Sequence, residues 1–419
     1  MGGTNADTDV LVLGGGIIGL ACAHFLLLAG RSVRIVDMGR LGSGCSSGNC
    51  GLITPSHAAP LTSPGMLRTA LRALVDRHAP LHVKPLPGPT TLRWLLKFAS
   101  NCNLADMQRS TAARAALLNS SRRLYDSLIQ SNAFECDWAA RGVLVVFRDA
   151  QAMHGAEARD AALEEYGVSG TPYVGGDLQQ LEPTLCEDLY GGRLYTMDAQ
   201  VRPERLVAEM ERVVRAAGAK VEEGCTVLGV RVGRHGVEYV ETPRGVFAAR
   251  DVVLAAGAWS AKLARSVGVR LPIEPGKGYS ITIDRQAGIP KHACILHERS
   301  VGVTPWEGGF RLGGTMEFAG FDARRTRTRL VAILRGAAEY LRDTPPDLES
   351  TTTWCGWRPM TPDELPVIGR AQRHRNLVVA AGHGMMGVSM APATGRLVAE
   401  IVTGAAAHVD PAPYRLERF

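Results

Sequence analysis

Over the first forty residues the spacing of apolar positions changes twice. Residues 9–13 (DVLVL) are a short apolar run, the pattern of a strand buried on both faces. From Ile17 the apolar positions fall into a helical stretch that stops at Gly30, and residues 32–36 form a second strand ending on Asp37. Gly14, Gly16 and Gly19 lie between the first strand and the helix. Strand, glycine turn, helix and strand in that order predict a parallel βαβ unit.

The rest of the chain predicts further elements. Residues 67–75 and 91–99 are apolar with interleaved Arg and Lys and read as short amphipathic helices. Residues 104–132 form a longer helix, 142–147 a strand, and 150–166 another helix. Pro203 opens a helix that stops at Gly218. Residues 220–232 read as one strand with a break at Glu223 and Gly224. The wholly apolar strand 251–256 suggests that the first domain resumes there. Residues 270–345 alternate with period two (YSITI, SVGVTPW, FRLGGTMEF), the sign of antiparallel sheet, with a helix near 330–341. Strand 377–381, glycine turn 383–387 and a long apolar helix close the chain.

The glycine turn carries the first chemistry. In G-x-G-x-x-G, Gly14 makes the turn, Gly16 lets backbone approach a pyrophosphate, and Gly19 lets helix and strand pack closely. Ile17 and Ile18 open the helix, whose free N–H groups and positive end suit phosphate. Asp37, 23 residues beyond Gly14, can accept from a ribose 2′-OH and would repel a 2′-phosphate. The motif points to a dinucleotide and leaves FAD and NAD both open. The loop 39–65, rich in Gly, Ser and Cys, follows Asp37 directly. Its small residues suit the wrapping of a phosphate, a ribityl chain or a flat ring.

Bulk properties narrow the field. At 419 residues two domains are expected. The net charge of +6 is mild and fits an acidic substrate or an anionic membrane surface. The one arginine cluster (Arg324, Arg325, Arg327, Arg329) reads as a solvated helix start, so no nucleic-acid partner is expected. Nine scattered cysteines without a C-x-x-C pair indicate reduced thiols in a cytoplasmic setting, with neither disulfides nor a metal site. Residues 1–8 lack a secretory signal pattern, and the longest apolar run, 17–29, is too short to span a bilayer. A soluble or peripheral protein is expected. The helix at 91–99, with Arg93, Trp94, Lys97 and Phe98, is a candidate for membrane contact at the inner face.

Four blocks together resemble the D-amino-acid oxidase-like superfamily of FAD oxidoreductases, which includes glycine oxidase, sarcosine oxidase and D-amino-acid dehydrogenase. They are Gly14/Gly16/Gly19 with Asp37, DVVLAAGAWS at 251–260, RLGGTMEF at 311–318, and WRPMTPDELPVIG at 357–369 followed by GHGMMG at 382–387. The segments NCGLITPSHAAPLTSPG, PGKGYS and RPMTPD are most similar to bacterial D-amino-acid dehydrogenases, and GHGMMGVSMAPATGRLVAE leans toward relatives that use D-proline or hydroxyproline.

The resemblance implies an α/β fold. A discontinuous Rossmann-like FAD-binding domain (1–85, 197–265, 350–419) would join an α+β substrate domain with an antiparallel sheet (86–196, 266–349). It implies oxidation of a CH–NH bond of an amino or cyclic imino acid, with electrons passed to a quinone-type acceptor. It places FAD contacts at Gly14, Gly16, Ile17, Ile18, Gly19 and Asp37. Arg40, Ser46, Ser47, Gly48, Asn49, Gly51 and Leu52 follow in the loop. Val227 would flank the adenine, with Ala256, Gly257, Trp259 and Gly356 near the flavin and Gly382, His383, Gly384, Met385, Met386 and Gly387 at the last turn. Arg358 would grip the substrate carboxylate. Tyr279 is a candidate second carboxylate partner, and His57 and His383 are candidate substrate donors or proton acceptors. Sarcosine oxidases attach FAD through a cysteine whose register falls on Gly356 here, so non-covalent FAD is expected. Three other readings stand beside this one: an oxygen-using amine or amino-acid oxidase, a nicotinamide-dependent dehydrogenase, and a non-catalytic flavoprotein subunit of an amine-oxidising complex.

Overall fold

The computed structural model describes residues 8–66, 81–83, 88–234, 236–285, 287–345 and 347–419. The helix expected at 67–75 lies outside the described residues.

Two large sheets organise the chain. The first has six strands, in the order Val367–Ala371, His374–Ala381, Ala249–Leu254, Thr8–Leu13, Val33–Val36, Lys220–Glu222. All neighbours are parallel except the first pair, an antiparallel hairpin. Both faces are covered, which is why its strands read as unbroken apolar runs. Val10, Val12, Ile35, Val253 and Val378 enter one core, while Leu11, Leu13, Val36, Val252 and Val379 enter another.

On the first face the helices Ile17–Leu28 and Gly387–Thr403 cross closely. A Cβ on Gly395 would stand 2.5 Å from the Ala21 backbone. Helix Leu104–Asn132 packs into this same core through Ala113, Leu117, Leu118 and Tyr125, although its sequence position suggested the substrate domain. Its small, Ala-rich inner face is what lets it seat against Gly387–Thr403.

The second sheet has nine strands and is mainly antiparallel. Its order is Thr352–Met360, Glu274–Asp284, Gly309–Phe318, Val301–Trp306, Ala293–Leu296, Val143–Phe147, Gly191–Tyr195, Thr171–Val174, with Leu81–Val83 beside Gly309–Phe318. Helix Arg327–Ala338 covers one face of it through Leu330, Ile333 and Leu334. Strand Thr352–Met360 is the edge of this sheet and pairs with Glu274–Asp284 along its whole length.

Two expectations are corrected. The strand read at 220–232 is two strands: Lys220–Glu222 ends the parallel sheet, and Gly229–Gly233 opens a separate three-stranded meander. The break at Glu223 and Gly224 is where the chain leaves one sheet for the other. The arginine cluster is not wholly solvated either, since Arg329 is buried on the inner side of its helix.

Candidate active site

Four parallel strands end side by side, and the residues just past their carboxyl ends are those the sequence singled out. Gly14 follows Leu13, Asp37 follows Val36, Ala256 and Gly257 follow the Ala249–Leu254 strand, and Gly382 follows Ala381. Ligands of such sheets bind at this edge. The glycine turn has no room for side chains. A Cβ on Gly19 would lie 1.8 Å from the Gly14 carbonyl oxygen, and one on Gly14 (φ +109°) 2.4 Å from that of Ala255. Ile17 N–H donates to Ser46 Oγ at 2.9 Å, tying the loop to the helix start beside Gly16 and Ile18. The Asp37 carboxylate accepts from Gly15 N and Gly39 N, both at 2.7 Å. Residues 224–225 bond back to Gly39 and Asp37, bringing the half-buried Val227 to the same corner. Arg40 is exposed there.

The loop 46–51 is held by its carbonyls. Ser280 Oγ donates to Gly48 O at 2.7 Å, and Thr304 Oγ1 donates to Cys50 O. Arg311 Nη1 donates to Ser47 O at 3.0 Å and Asn49 O at 3.1 Å. Arg311 is itself paired with Glu204 at 3.1 Å. Three strands of the large sheet thus grip the loop that follows the dinucleotide motif. Ser280, Thr304 and Arg311 were missed by sequence reasoning. Their only signal was their place on inward positions of alternating strands. Gly51 N bonds Asn49 Oδ1, and Leu52 O accepts from Ser389 Oγ on the last helix.

Beneath this loop the sheet presents backbone rather than side chains. A Cβ on Gly313 would stand 2.2 Å from Cys50 Sγ, one on Gly302 3.2 Å from it, and one on Gly278 2.3 Å from Arg358 Cζ. A Cβ on Gly356 would meet the Trp354 indole at 2.3 Å, and that indole also lies across Gly48. Four glycines on four neighbouring strands form a floor of bare backbone on which Cys50, Arg358 and Trp354 lie directly. The Arg358 guanidinium lies over Gly278. It donates to Thr315 O at 2.7 Å and sits 3.8 Å from Met316 Sδ, with no carboxylate partner among the described residues. Burial presses its pKa below the ordinary arginine value, and the Cys45 and Cys50 thiols oppose that shift. The Thr315 carbonyl reaches Arg358 through a β-bulge. Pairing slips between Lys277 and Tyr279, and Thr315 takes φ +64°, a strained value for a β-branched residue. Sequence gave no warning of Thr315. Met316 and Met360 pack with Trp94 beside the Arg358 guanidinium, and a Cβ on Gly384 would lie 3.5 Å from Met360 Sδ.

The other candidates disperse. Tyr279 is one residue past Gly278, so it faces the opposite side of the sheet. There its phenol donates to Glu317 and lies 3.1 Å from Thr326 Oγ1, and it is not brought together with Arg358. His383 is buried, with Nε2 3.0 Å from Thr394 Oγ1, and burial drives its pKa down to about 3. It ties the turn to the last helix as a neutral ring. In that turn Met385 is exposed, while Met386 and Gly387 lead into the helix. His57 Nδ1 lies 2.9 Å from Ser56 Oγ, which donates to the buried carboxylate of Asp198. Burial, then Arg159 and Arg114, lowers His57 to about 4, so it is neutral at pH 7. Trp259 sits beyond Gly257, stacked with Phe321 and edge-on to Trp357. Cys355 points away from Gly356 and Arg358, its thiol toward Ala323 O. The described residues hold no group of His, Cys, Asp and Glu fit for a metal ion.

A doubly covered parallel sheet with this glycine turn, joined to a sheet with a glycine floor, defines a nucleotide-cofactor oxidoreductase. The chain belongs to the FAD dependent oxidoreductase (DAO) family, which it matches over residues 9–401. It is 32% identical to a D-amino acid dehydrogenase of Vibrio vulnificus strain CMCP6, over 98% of this chain and 99% of the relative. Among solved structures it is similar to glycine oxidase from Geobacillus kaustophilus (26% identity, TM-score 0.79, 99% of this chain and 100% of that one). It shares its fold with L-proline dehydrogenase from P. horikoshii (21% identity, TM-score 0.74, 99% and 98%). The cofactor is FAD, and the residues present fit it: the cradle at Gly14 and Gly19 admits no Cβ, and the glycine floor meets the loop 46–51.

Proposed function

We propose that this chain is a D-amino-acid dehydrogenase that oxidises the CH–NH bond of a D-amino or cyclic imino acid and passes the electrons to a quinone-type acceptor. The observation that carries this reading is Arg358, a half-buried guanidinium resting over Gly278 without an acidic partner among the described residues. Buried cations need anions, and two parallel N–H groups suit a carboxylate. FAD, when bound, supplies the two-electron acceptor. Arg358 fixes the substrate by its carboxylate. Met316 and Met360 keep water from the reacting carbon and present a soft wall that suits an aliphatic or cyclic side chain. The curated relatives named D-amino acid dehydrogenase support the D-specific assignment. FAD is held without a covalent bond in this reading, in keeping with Gly356 and the outward-facing Cys355.

No helix among the described residues is long and apolar enough to cross a membrane. Helix Pro89–Ser100 buries Trp94 but leaves Leu92 and Leu96 exposed beside Arg93 and Lys97, which supports peripheral contact at the inner membrane face, where a quinone would be met.

The test is anaerobic titration of the FAD-loaded protein with D- and L-amino acids, proline and hydroxyproline isomers included. Bleaching of the flavin by D-isomers alone is expected. Bleaching only by glycine, sarcosine or L-isomers would overturn the D-specific assignment. Stoichiometric peroxide in air would favour the oxidase reading, to which the glycine oxidase likeness lends weight. Arg358→Lys keeps the charge and loses the fork, so half-bleaching should need at least about tenfold more substrate, the loss of one charged hydrogen bond.

A further inference from the structure

On the far side of strand Thr352–Met360, one residue from Gly356, three aromatic rings meet. Trp259 and Phe321 are stacked with centroids 5.0 Å apart, Trp357 meets Trp259 edge-on at 5.5 Å, and Phe321 lies 5.9 Å from Trp357. Trp259 follows the turn at Gly257, and Trp357 sits on the edge strand of the large sheet, so the ledge lies on the seam between the two sheets. Two features are not explained by packing. The Trp357 Nε1–H is buried and has no hydrogen-bond partner among the described residues, although a buried indole N–H normally finds one. Phe321, by contrast, is 46% exposed at the tip of the loop after Gly320, and it is the ring that completes the stack. Two of the loop's charges are tied down. Asp322 is paired with Arg324 at 2.7 Å, and the Arg324 carbonyl accepts from the buried Lys277, so the loop base is fixed while its apolar tip is exposed.

We propose that this ledge is the docking site of the quinone-type electron acceptor. The inference rests on the dehydrogenase reading above. A quinone ring is flat and carries carbonyl oxygens that only accept. On the ledge it takes the place of Phe321 against Trp259, and one carbonyl accepts the hydrogen bond that Trp357 Nε1–H lacks. Phe321 is then a built-in stand-in that swings out as the acceptor enters. The reaction balances: the quinone gains two electrons and two protons and leaves as quinol, and the reduced cofactor returns to its oxidised form. The substrate reaches the other face of the same strand, where Arg358 stands, so donor and acceptor need not share a pocket.

The experiment measures binding directly. FAD-loaded protein is titrated calorimetrically with 2,3-dimethoxy-5-methyl-1,4-benzoquinone, as wild type, Trp357→Phe and Phe321→Ala. Trp357→Phe keeps the ring and removes the donor, so Kd should rise about tenfold, the worth of one hydrogen bond. Phe321→Ala removes the competing ring, so Kd should fall by about threefold. Anaerobic flavin reduction by the amino acid should be unchanged in both. Wild-type quinone affinity in Trp357→Phe, or lost affinity in Phe321→Ala, would overturn the proposal. The surface Phe321→Ala variant decides the matter alone if the tryptophan variant does not fold. Failure of amino acids to reduce the flavin would overturn the dehydrogenase reading separately, because the quinone Kd is measured without substrate.

Discussion

Asp198 is fully buried, with the Ser56 hydroxyl and N–H as its hydrogen-bond donors. Burial raises its pKa from the ordinary 3.8 to about 7, against the pull of those bonds and of Arg122. The sign of the stability effect follows. Below the ordinary value both folded and unfolded chains hold the proton. As pH climbs toward 7 the unfolded chain releases it and the folded chain does not, so stability is lost across that window and stays lost above it. Asp198→Asn has no proton to lose. The stability gain of this variant over wild type should therefore grow from pH 4 to pH 7 and then level off, reaching at most about 4 kcal/mol at roughly 1.4 kcal/mol per unit. Thermal melts across pH check it, and a pH-independent difference would mean that Asp198 is ionised in the fold. Nothing in the sequence marked Asp198 or Thr315, because each acts through a neighbour 40 or more residues away, and no local pattern records that.

Helix Gly387–Thr403 contains Pro392 in its second turn. Proline has no N–H, so the Val388 carbonyl loses its helical partner. The buried Tyr125 hydroxyl, on helix Leu104–Asn132, donates to that carbonyl at 2.7 Å. One helix thus repairs the gap in another. Tyr125→Phe leaves the carbonyl dry and unpaired, and should cost about 1–3 kcal/mol of stability, read by denaturant unfolding. An unchanged midpoint would show that the carbonyl finds water. Elements with strong periodicity were legible: helix Leu104–Asn132, the Pro203 helix start, the βαβ unit and the last strand–turn–helix all stand where the pattern put them. Partners were not legible. Apolar spacing says that a face of the 104–132 helix is buried and not against what, so the core it joins could not be read from the pattern.

At the scale of the molecule the candidate site is a seam. One side is the edge of the parallel sheet with Gly14 and Asp37, and the other is the glycine floor with Arg358. The motif side was readable because phosphate binding demands glycines at fixed spacing. The floor was not, since its four glycines come from four strands spread over residues 278–356. With Gly356 on the floor and Cys355 turned outward, acid precipitation should release all FAD into the supernatant, and a yellow pellet would identify a covalent link elsewhere.

Strand His374–Ala381 lies inside the parallel sheet, and the helix after it packs on the very first helix. This arrangement has a consequence for synthesis on the ribosome. The glycine turn at the start of the chain is translated early, but the strand and helix that brace it emerge only some 350 residues later. During synthesis the first described helix therefore waits some 350 residues for the helix it packs against, and the glycine turn is braced only once that partner has emerged.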